Sequence, residues 1–292
     1  MININKCTFE LQCYVAHQFD VIIFVTLLKD YLYSTQKLNW QNMPILNTFL
    51  CSVQLRNISL SSLSNKIVPS NLKGKSKSSQ EWLERQLNDE YVKKGRYHGY
   101  RCRSAFKLLE MDQKFKLLKP GYSVVDCGAS PGSWTQIVVN KLKLDKETEE
   151  NQKIKGVAIA VDLQHIEPIK GATIIQESDF TQLSVQEKIS NLLPSGKANV
   201  VLSDMAPRAT GTYELDCAAM MTLVYSATKF SFHVLHKDGT FLCKLWDGHE
   251  VEKFITILKN YFSLVKRCKP KASRSDSSEL YVLAMGFKGW HK

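Results

Sequence analysis

Four charged residues stand where they could act together on a hydroxyl group. Lys107 lies in RSAFKLLE, Asp204 in VVLSDMAP, Lys244 in FLCKLWDG and Glu279 in SRSDSSELYV. Each marks the end of a short element, and an α/β sheet brings such ends to one edge. A lysine beside a second ammonium group loses its proton more readily, and a nearby carboxylate holds the free amine in line. The four residues therefore predict an enzyme that activates an alcohol.

A glycine-rich loop in VVDCGASPGSW, residues 124–134, predicts a site for the second reactant. Gly128 and Gly132 allow the backbone to approach a ligand closely, and a helix that starts near Ser133 directs its positive N-terminus at an anion or a carboxylate. The spacing fits neither the dinucleotide pattern GxGxxG nor the phosphate loop GxxxxGK[ST].

Two aspartates follow the next two predicted strands and suit an adenosine. Asp162 ends the second strand, where a carboxylate can hold both ribose hydroxyls. Asp179 follows the third strand and could receive an adenine amino group. With the glycine loop and the four charged residues, they predict an adenosine-containing partner for the reaction.

The elements that position these residues alternate between strands and helices. A helix is predicted from Leu215 to His236, where apolar residues recur near a period of 3.6. The strands read as short apolar runs, as expected when helices cover both faces of a mostly parallel sheet. They are predicted at 122–127, 157–162, 172–175, 199–203, 240–245, 262–268 and 280–286. The sequence predicts a doubly wound, seven-stranded α/β domain over residues 80–292, after an N-terminal extension of residues 1–79.

The charge of the chain favours a polyanionic partner. Its 39 basic and 28 acidic residues give a net charge of +11, which suggests nucleic acid before a membrane surface. Residues 91–107 contain no acid. They hold three tyrosines among six basic residues: Tyr91, Tyr97 and Tyr100, with Lys93, Lys94, Arg96, Arg101, Arg103 and Lys107. This mixture is typical of single-stranded RNA recognition, although a solvated charged face is the alternative.

The N-terminal extension has the composition of a mitochondrial leader. Residues 31–80 contain no Asp or Glu but many serines and six basic residues. We expect residues 1–42 to be dispensable and residues 43–75, which begin at Met43, to be a cleaved leader; a disordered basic tail is the alternative. The longest apolar run, residues 21–28, is too short to span a bilayer, so no membrane association is expected.

Neither a disulfide nor a metal site is predicted. The eight cysteines are scattered and form no CxxC pair, which is typical of thiols in a reducing compartment. Among the histidines, His233 and His236 have helical spacing but no third ligand beside them.

The tetrad Lys107, Asp204, Lys244 and Glu279, together with the loop DCGASPGSW, resembles the FtsJ-like ribose 2′-O-methyltransferases over roughly residues 81–287. The resemblance implies a Rossmann-like methyltransferase fold, S-adenosylmethionine as the cofactor and Lys244 as the general base. It also implies a set of residues that line the methyl donor: Pro131, Gly132, Ser133, Trp134, Asp162, Asp179 and Asp204.

Within the family, residues 81–110 and 269–284 are most similar to mitochondrial members. This similarity implies a matrix enzyme that methylates a uridine ribose of mitochondrial large-subunit rRNA, or of a pre-ribosomal particle, in support of ribosome biogenesis. We expect the chain to be a monomer. Two residues depart from the family pattern: Arg208 replaces an Asn after SDMAP, and Ser130 replaces an Ala in the loop. The alternatives are a methyltransferase of a tRNA anticodon loop or an mRNA cap, and a non-catalytic RNA-binding assembly factor.

Overall fold

The computed structural model describes residues 67, 69–70, 72–145 and 156–289. Most of the predicted leader, including Met43, lies outside the described residues. The first described helix begins at Lys77, and the proposed domain boundary at residues 79 and 80 stays a prediction.

Within the described residues, the strands form one seven-stranded sheet in the order β3-β2-β1-β4-β5-β7-β6. The first five strands run parallel to one another, and β7 lies between β5 and β6 and is antiparallel to both. All of the predicted strands form, and the doubly wound, mostly parallel fold is confirmed. Their bounds are β1 Ser123–Cys127, β2 Val157–Val161, β3 Thr173–Ile175, β4 Ala198–Ser203, β5 Leu235–Trp246, β6 Phe262–Cys268 and β7 Glu279–Phe287.

The helices lie before and between the strands. The helix predicted over residues 215–236 forms over 213–234. Residues 77–97 form two helices, because Asp89 ends the first and caps the second. The Asp89 side chain accepts bonds from the backbone N–H groups of Tyr91 and Val92. The bounds are α1 Lys77–Asn88, α2 Glu90–Tyr97, α3 Ala105–Phe115, α4 Ser133–Leu142, α5 Leu183–Leu192, α6 Tyr213–Val234 and α7 Glu250–Tyr261.

The core consists of two apolar layers, one on each face of the sheet. Successive strand residues point to opposite faces, so Val124 packs with α3 and α4 whereas Val125 packs with α5, α6 and α7. Both residues are fully buried, as are Phe241 and Phe254. Burial on both faces explains why the strands read as continuous apolar runs. It also holds the carboxyl ends of β1, β2 and β4 in fixed positions at one edge of the sheet.

The five described cysteines, Cys102, Cys127, Cys217, Cys243 and Cys268, are free thiols. Burial raises the pKa of Cys127 and of Cys243, which keeps both thiols protonated. No group of three metal-ligating side chains occurs in the part of the chain that the structure describes. Among the same residues, no helix has both the length and the hydropathy of a membrane span.

Candidate active site

The fold brings the four charged residues of the predicted tetrad to one edge of the sheet. Asp204 directly follows β4, and Lys244 lies near the end of β5. Glu279 begins β7 and pairs with Trp246 across the antiparallel β5–β7 ladder. Lys107 lies in the first turn of α3, which packs over this part of the sheet. The residues are far apart in sequence, and the strand order together with the packing of α3 on the sheet places them together.

Asp204 and Lys244 form one half of the cluster. The ammonium nitrogen Nζ of Lys244 lies 2.9 Å from Oδ1 of Asp204. The same nitrogen donates to the backbone carbonyl oxygen of Asp204 at 2.5 Å. The Lys244 side chain is only 11% exposed and that of Asp204 16%. Because little water reaches the pair, the position of Nζ is set by these two oxygens.

Lys107 and Glu279 form the other half. Nζ of Lys107 lies 2.7 Å from Oε1 and 2.8 Å from Oε2 of Glu279. The hydroxyl of Ser273 donates to Oε1 at 2.8 Å. Burial acts to raise the pKa of Glu279, but the charge of Lys107, the hydrogen bonds from Lys107 and Ser273, and the charge of Lys244 together lower it below its ordinary value. Glu279 is therefore a carboxylate at neutral pH.

Tyr281 links the two halves, and sequence reasoning missed it. Its hydroxyl donates to Oδ1 of Asp204 at 2.9 Å, and Nζ of Lys107 lies 5.9 Å above the centre of its ring. The ring also packs against Trp134, with the ring centres 5.7 Å apart. Burial, and then the charges of Asp204 and Glu279, raise the pKa of Tyr281, so the phenol keeps its proton. The available signal was strand periodicity, because Tyr281 lies two residues after Glu279 and shares its face.

A cleft opens beside this cluster at the carboxyl ends of β1, β2 and β4. Its empty volume is about 740 Å³, counting space open to solvent. Three of the residues predicted to contact the methyl donor line it: Asp162, Asp179 and Asp204. Because Asp204 belongs to both the cleft and the cluster, the two predicted sites adjoin each other.

The other four predicted donor contacts, Pro131, Gly132, Ser133 and Trp134, do not line the cleft. Trp134 is 2% exposed and packs in the core. Its indole N–H donates to the backbone oxygen of Ser104 at 2.8 Å. Ser133 is buried as well. Gly128 and Ser130, from the same loop, line the cleft in their place, so a role in donor binding for residues 131–134 stays a prediction.

The donor loop is held in place by close backbone packing. Gly128 has a φ of +77°, and a Cβ atom there would lie 2.6 Å from Cγ of Met205 and 2.8 Å from its Cα. The carboxylate of Asp162 accepts from the backbone N–H of Ser130 at 2.9 Å and from that of Gln164 at 2.7 Å. Each carboxylate oxygen has a further lone pair, so Asp162 can still accept a bond from a ribose hydroxyl.

Asp126, the acidic residue of the glycine-loop motif, was also missed as a site residue. It lies at the end of β1 behind the loop and is 2% exposed. Its Oδ2 accepts from the hydroxyl of Thr135 at 2.7 Å, whereas Oδ1 has no hydrogen-bond partner. Burial, assisted by the charges of Asp204 and Asp162, raises the pKa of Asp126 to about 7. The group is therefore partly protonated at neutral pH, which limits negative charge behind the cleft.

The loop that follows Asp204 is anchored at its far end by Asp216. This buried carboxylate accepts bonds from the backbone N–H and the hydroxyl of Thr210, each at 2.7 Å, and from the N–H of Gly211 at 3.2 Å. The hydrogen bonds from Thr210 and Gly211 lower the pKa of Asp216. The loop thus has fixed ends at Asp204 and Asp216, and it presents Arg208 at the surface.

Comparison with known proteins points to one family. The family model of FtsJ-like methyltransferases matches residues 100–287. The mitochondrial rRNA methyltransferase 2 of Drosophila melanogaster is 45% identical over 221 residues, which cover 76% of this chain and 88% of the relative. The ribosomal RNA large subunit methyltransferase E of Parvibaculum lavamentivorans is 44% identical over 215 residues, or 74% of this chain and 84% of the relative.

A solved structure agrees with this assignment. A crystal structure described as a ribosomal RNA methyltransferase of Plasmodium falciparum matches with a TM-score of 0.55 and 29% identity, and covers 65% of this chain and 100% of its own.

The strand order, with a ligand cleft at the carboxyl ends of β1, β2 and β4, defines an S-adenosylmethionine-dependent methyltransferase fold. More particularly, the chain belongs to the FtsJ-like methyltransferase family. The family expected from the sequence is therefore confirmed. Membership implies S-adenosylmethionine as the methyl donor. The cleft fits it, since three carboxylates face a space that a cationic sulfonium compound could enter.

We predict that Gly128→Ala abolishes donor binding. The new methyl group would collide with Met205, and both the loop and the segment that follows Asp204 would have to move. Binding of S-adenosylmethionine to the purified chain, measured by calorimetry, checks this. Gly74→Ala is the matched control, because Gly74 has a similar φ of +79° but no atom within 4 Å of the added carbon. Equal affinities in the two variants would contradict the packing argument.

We predict that the stabilising effect of Glu279 disappears in acid. A carboxylate whose pKa is lowered in the folded state stabilises that state at pH values above its ordinary pKa of 4.5. This contribution is lost as the pH falls through the folded-state pKa. Glu279→Gln should lower the free energy of unfolding by about 1.5–3 kcal/mol at pH 7, and the difference from wild type should shrink below pH 4.5. Urea unfolding at pH 7, 5, 4 and 3 measures it.

Glu252→Gln serves as the control for that series. Glu252 pairs with Arg267 at 2.8 Å, but the Glu252 side chain is 69% exposed, so its loss should change stability much less. A Glu279→Gln difference that stays constant from pH 7 to pH 3 would show that the ion pair does not stabilise the fold through the carboxylate charge.

Proposed function

We propose that this chain transfers a methyl group from S-adenosylmethionine to the 2′-hydroxyl of a uridine ribose in the large-subunit ribosomal RNA of mitochondria. The coarser part, RNA ribose 2′-O-methylation with this donor, follows from membership in the FtsJ-like family. The single observation that carries the chemistry is the position of Lys244: Nζ is held by Asp204, and Asp204 also lines the donor cleft.

Lys244 is proposed as the general base. When bound, S-adenosylmethionine supplies a methyl group activated by its sulfonium charge. In its deprotonated form, Nζ of Lys244 can accept the proton of the ribose hydroxyl while Asp204 keeps the amine in position. Proton removal of this kind contributes about 10²- to 10⁴-fold in rate. Alignment of the donor and the ribose lowers the activation barrier by on the order of 7–11 kcal/mol in well-oriented cases. Holding both reactants at one edge of the sheet therefore contributes more than proton removal does.

Lys107 and Glu279 are proposed to orient the site rather than to exchange protons. Glu279 compensates the charge of Lys107 at 2.7 Å, and its negative charge also acts on the region around Lys244. The hydroxyl of Tyr281 fixes Oδ1 of Asp204 through its hydrogen bond. The ribose hydroxyl would thus meet the amine of Lys244. Its direction is determined by Asp204 directly, and by Tyr281 and Glu279 through their effects on the same cluster.

RNA contacts are proposed on α2 and its surroundings. Lys93 and Arg96 are exposed there, and the ring of Tyr97 is 88% exposed. An exposed aromatic ring among cations suits a single-stranded base and its phosphates. Arg208 adds a further exposed cation beyond Asp204, and no ion pair of Arg208 occurs within the described part of the chain.

Not every basic residue of the segment 91–107 is available for RNA. Arg103 forms an ion pair with Asp89 and donates to the backbone oxygen of Ala272, and Lys107 is bound to Glu279. Lys94 lies 2.5 Å from Glu90 at the surface. The RNA-binding interpretation therefore depends on fewer side chains than the composition suggested.

The mitochondrial target rests on two independent supports. The Drosophila melanogaster relative is named as a mitochondrial rRNA methyltransferase, and residues 31–80 lack acids, as leaders for that compartment do. A naked rRNA or a pre-ribosomal particle would both present the uridine. The tRNA and mRNA-cap alternatives have less support, since the relatives compared at 44–45% identity are named for ribosomal RNA.

We predict that Lys244→Ala abolishes methylation but leaves donor affinity nearly unchanged. The substitution removes the proposed base, whereas the cleft residues that face the donor remain. The measurement combines transfer of radiolabelled methyl groups to RNA with calorimetric titration of S-adenosylmethionine. Lys237→Ala is the control, because Lys237 is an exposed lysine at the start of the same strand. Substantial activity in Lys244→Ala would rule out its role as the base.

The substrate itself is tested by mapping ribose methylation in cells with and without this protein, across mitochondrial and cytosolic RNAs. We expect loss of one methylated uridine in the mitochondrial large-subunit rRNA, and its return only with a catalytically intact copy. Loss at a tRNA or cap position would select one of the alternatives. If methylation of that uridine is unchanged without the protein but mitochondrial ribosome assembly fails, the chain acts as a non-catalytic assembly factor.

A further inference from the structure

The guanidinium of Arg101 binds two loops of the methyl-donor cleft at once, through residues that do not line the cleft. Nη1 donates to the backbone oxygen of Pro131 at 2.8 Å and to that of Glu167 at 2.8 Å. Nη2 donates to the backbone oxygen of Pro168 at 3.0 Å. All three acceptors are carbonyl groups, which only a planar, multidentate donor can collect from these directions.

The two loops are the ones that build the cleft. Residues 128–132 follow β1, and residues 162–168 follow β2; the cleft is lined by Gly128 and Ser130 from the first loop and by Asp162 and Gln164 from the second. On the cleft side, the loops are joined by the bond from the Ser130 N–H to Asp162. Arg101 joins them again through Pro131, Glu167 and Pro168, none of which lines the cleft. It therefore adds a further constraint on the distance between the walls.

The packing around Gly132 shows how closely Arg101 approaches the loop. A Cβ atom at Gly132 would lie 2.7 Å from Nη1 of Arg101 and 2.8 Å from Cδ1 of Ile169. Only a glycine leaves room for the guanidinium here. Gly132 therefore packs against Arg101, and its contact with the donor stays a prediction.

Arg101 is itself anchored to the core. Its backbone N–H donates to Oε1 of Gln136 in α4 at 3.0 Å, and Nε2 of Gln136 donates to the backbone oxygen of Gly99 at 3.1 Å. Three residues further on, the hydroxyl of Ser104 lies 2.8 Å from that of Ser133 at the start of α4. The guanidinium therefore extends from a fixed point, as a clamp requires.

We propose that Arg101 is a positioning residue that clamps the donor loop to the loop after β2 and thereby sets the affinity for S-adenosylmethionine. It would act through its three backbone partners, Pro131, Glu167 and Pro168, rather than by contact with the reacting atoms. The proposal rests on the proposed function, because it takes S-adenosylmethionine as the ligand of this cleft. It assigns Arg101 to the donor site, although the basic composition of residues 91–107 had suggested a phosphate contact.

The test compares three variants of the full chain: Arg101→Ala, Arg101→Lys and Arg96→Ala. Calorimetry without RNA gives the affinity for S-adenosylmethionine and for its demethylated product, and steady-state kinetics give KM separately for donor and RNA. Arg101→Ala should weaken donor binding on the order of 10-fold or more and leave the RNA KM near the wild-type value. Arg101→Lys should fail to restore donor binding, since one ammonium group cannot hold three separated carbonyls.

Arg96→Ala should give the opposite pattern. It removes the same charge from the exposed surface of α2, so the RNA KM should rise while donor affinity is unchanged. If Arg101→Ala raises the RNA KM alone and Arg101→Lys restores it, Arg101 is a phosphate contact and the clamp is refuted. Unchanged donor affinity in Arg101→Ala also refutes it.

Two further comparisons distinguish a failure of the clamp from misfolding of a variant and from a failure of the proposed function. If Arg101→Ala proves unfolded by circular dichroism, Gln136→Ala replaces it: this variant keeps the guanidinium but releases its anchor, and it should still weaken donor binding, whereas wild-type affinity would refute the clamp. If the wild-type chain binds no S-adenosylmethionine, the proposed function fails as a whole. If the wild type binds and the Arg101 variants bind equally well, only the clamp fails.

Discussion

The active site depends on the pairing of two lysines with two carboxylates in a place that water hardly reaches. Each of the four side chains is between 11% and 16% exposed, and an unpaired charge at such a position would cost several kcal/mol. Lys244 therefore requires Asp204, and Lys107 requires Glu279. The hydroxyl of Tyr281 ties the two pairs together through Asp204. The fold must deliver all of these groups to one place, and the sheet order does so.

Much of this arrangement could be predicted from the sequence, and the limits have physical causes. Short apolar runs reveal strands that are buried on both faces, and a parallel sheet forces their carboxyl ends together. That logic placed Asp162 and Asp204 correctly at the cleft. It could not give the direction of the Trp134 side chain, which packs in the core, because the direction depends on contacts with distant residues such as Ser104 and Tyr281.

Composition is a still weaker guide to what a charged side chain binds. The basic run 91–107 looks uniform as a sequence, but its members have different partners. Arg103 pairs with Asp89, and Arg101 donates to the backbone of two loops. The hydrogen bond from Arg103 to the backbone of Ala272 joins residues 169 positions apart. No local sequence pattern carries information over such a separation. Lys93 and Arg96 keep the exposure that the composition implied for all of them.

The distribution of charge gives each proposed ligand its own region. The whole chain carries a net charge of +11, which favours association with a polyanion at long range. The donor cleft is locally acidic, with Asp162 and Asp179 along its wall beside Asp204, whose charge Lys244 compensates, and it favours a cation. This acidic wall opposes entry of a phosphate into the cleft, in agreement with the proposed RNA contacts on α2. The tetrad adjoins the cleft through Asp204, and its two positive and two negative charges cancel, so no net local charge opposes the approach of a ribose hydroxyl.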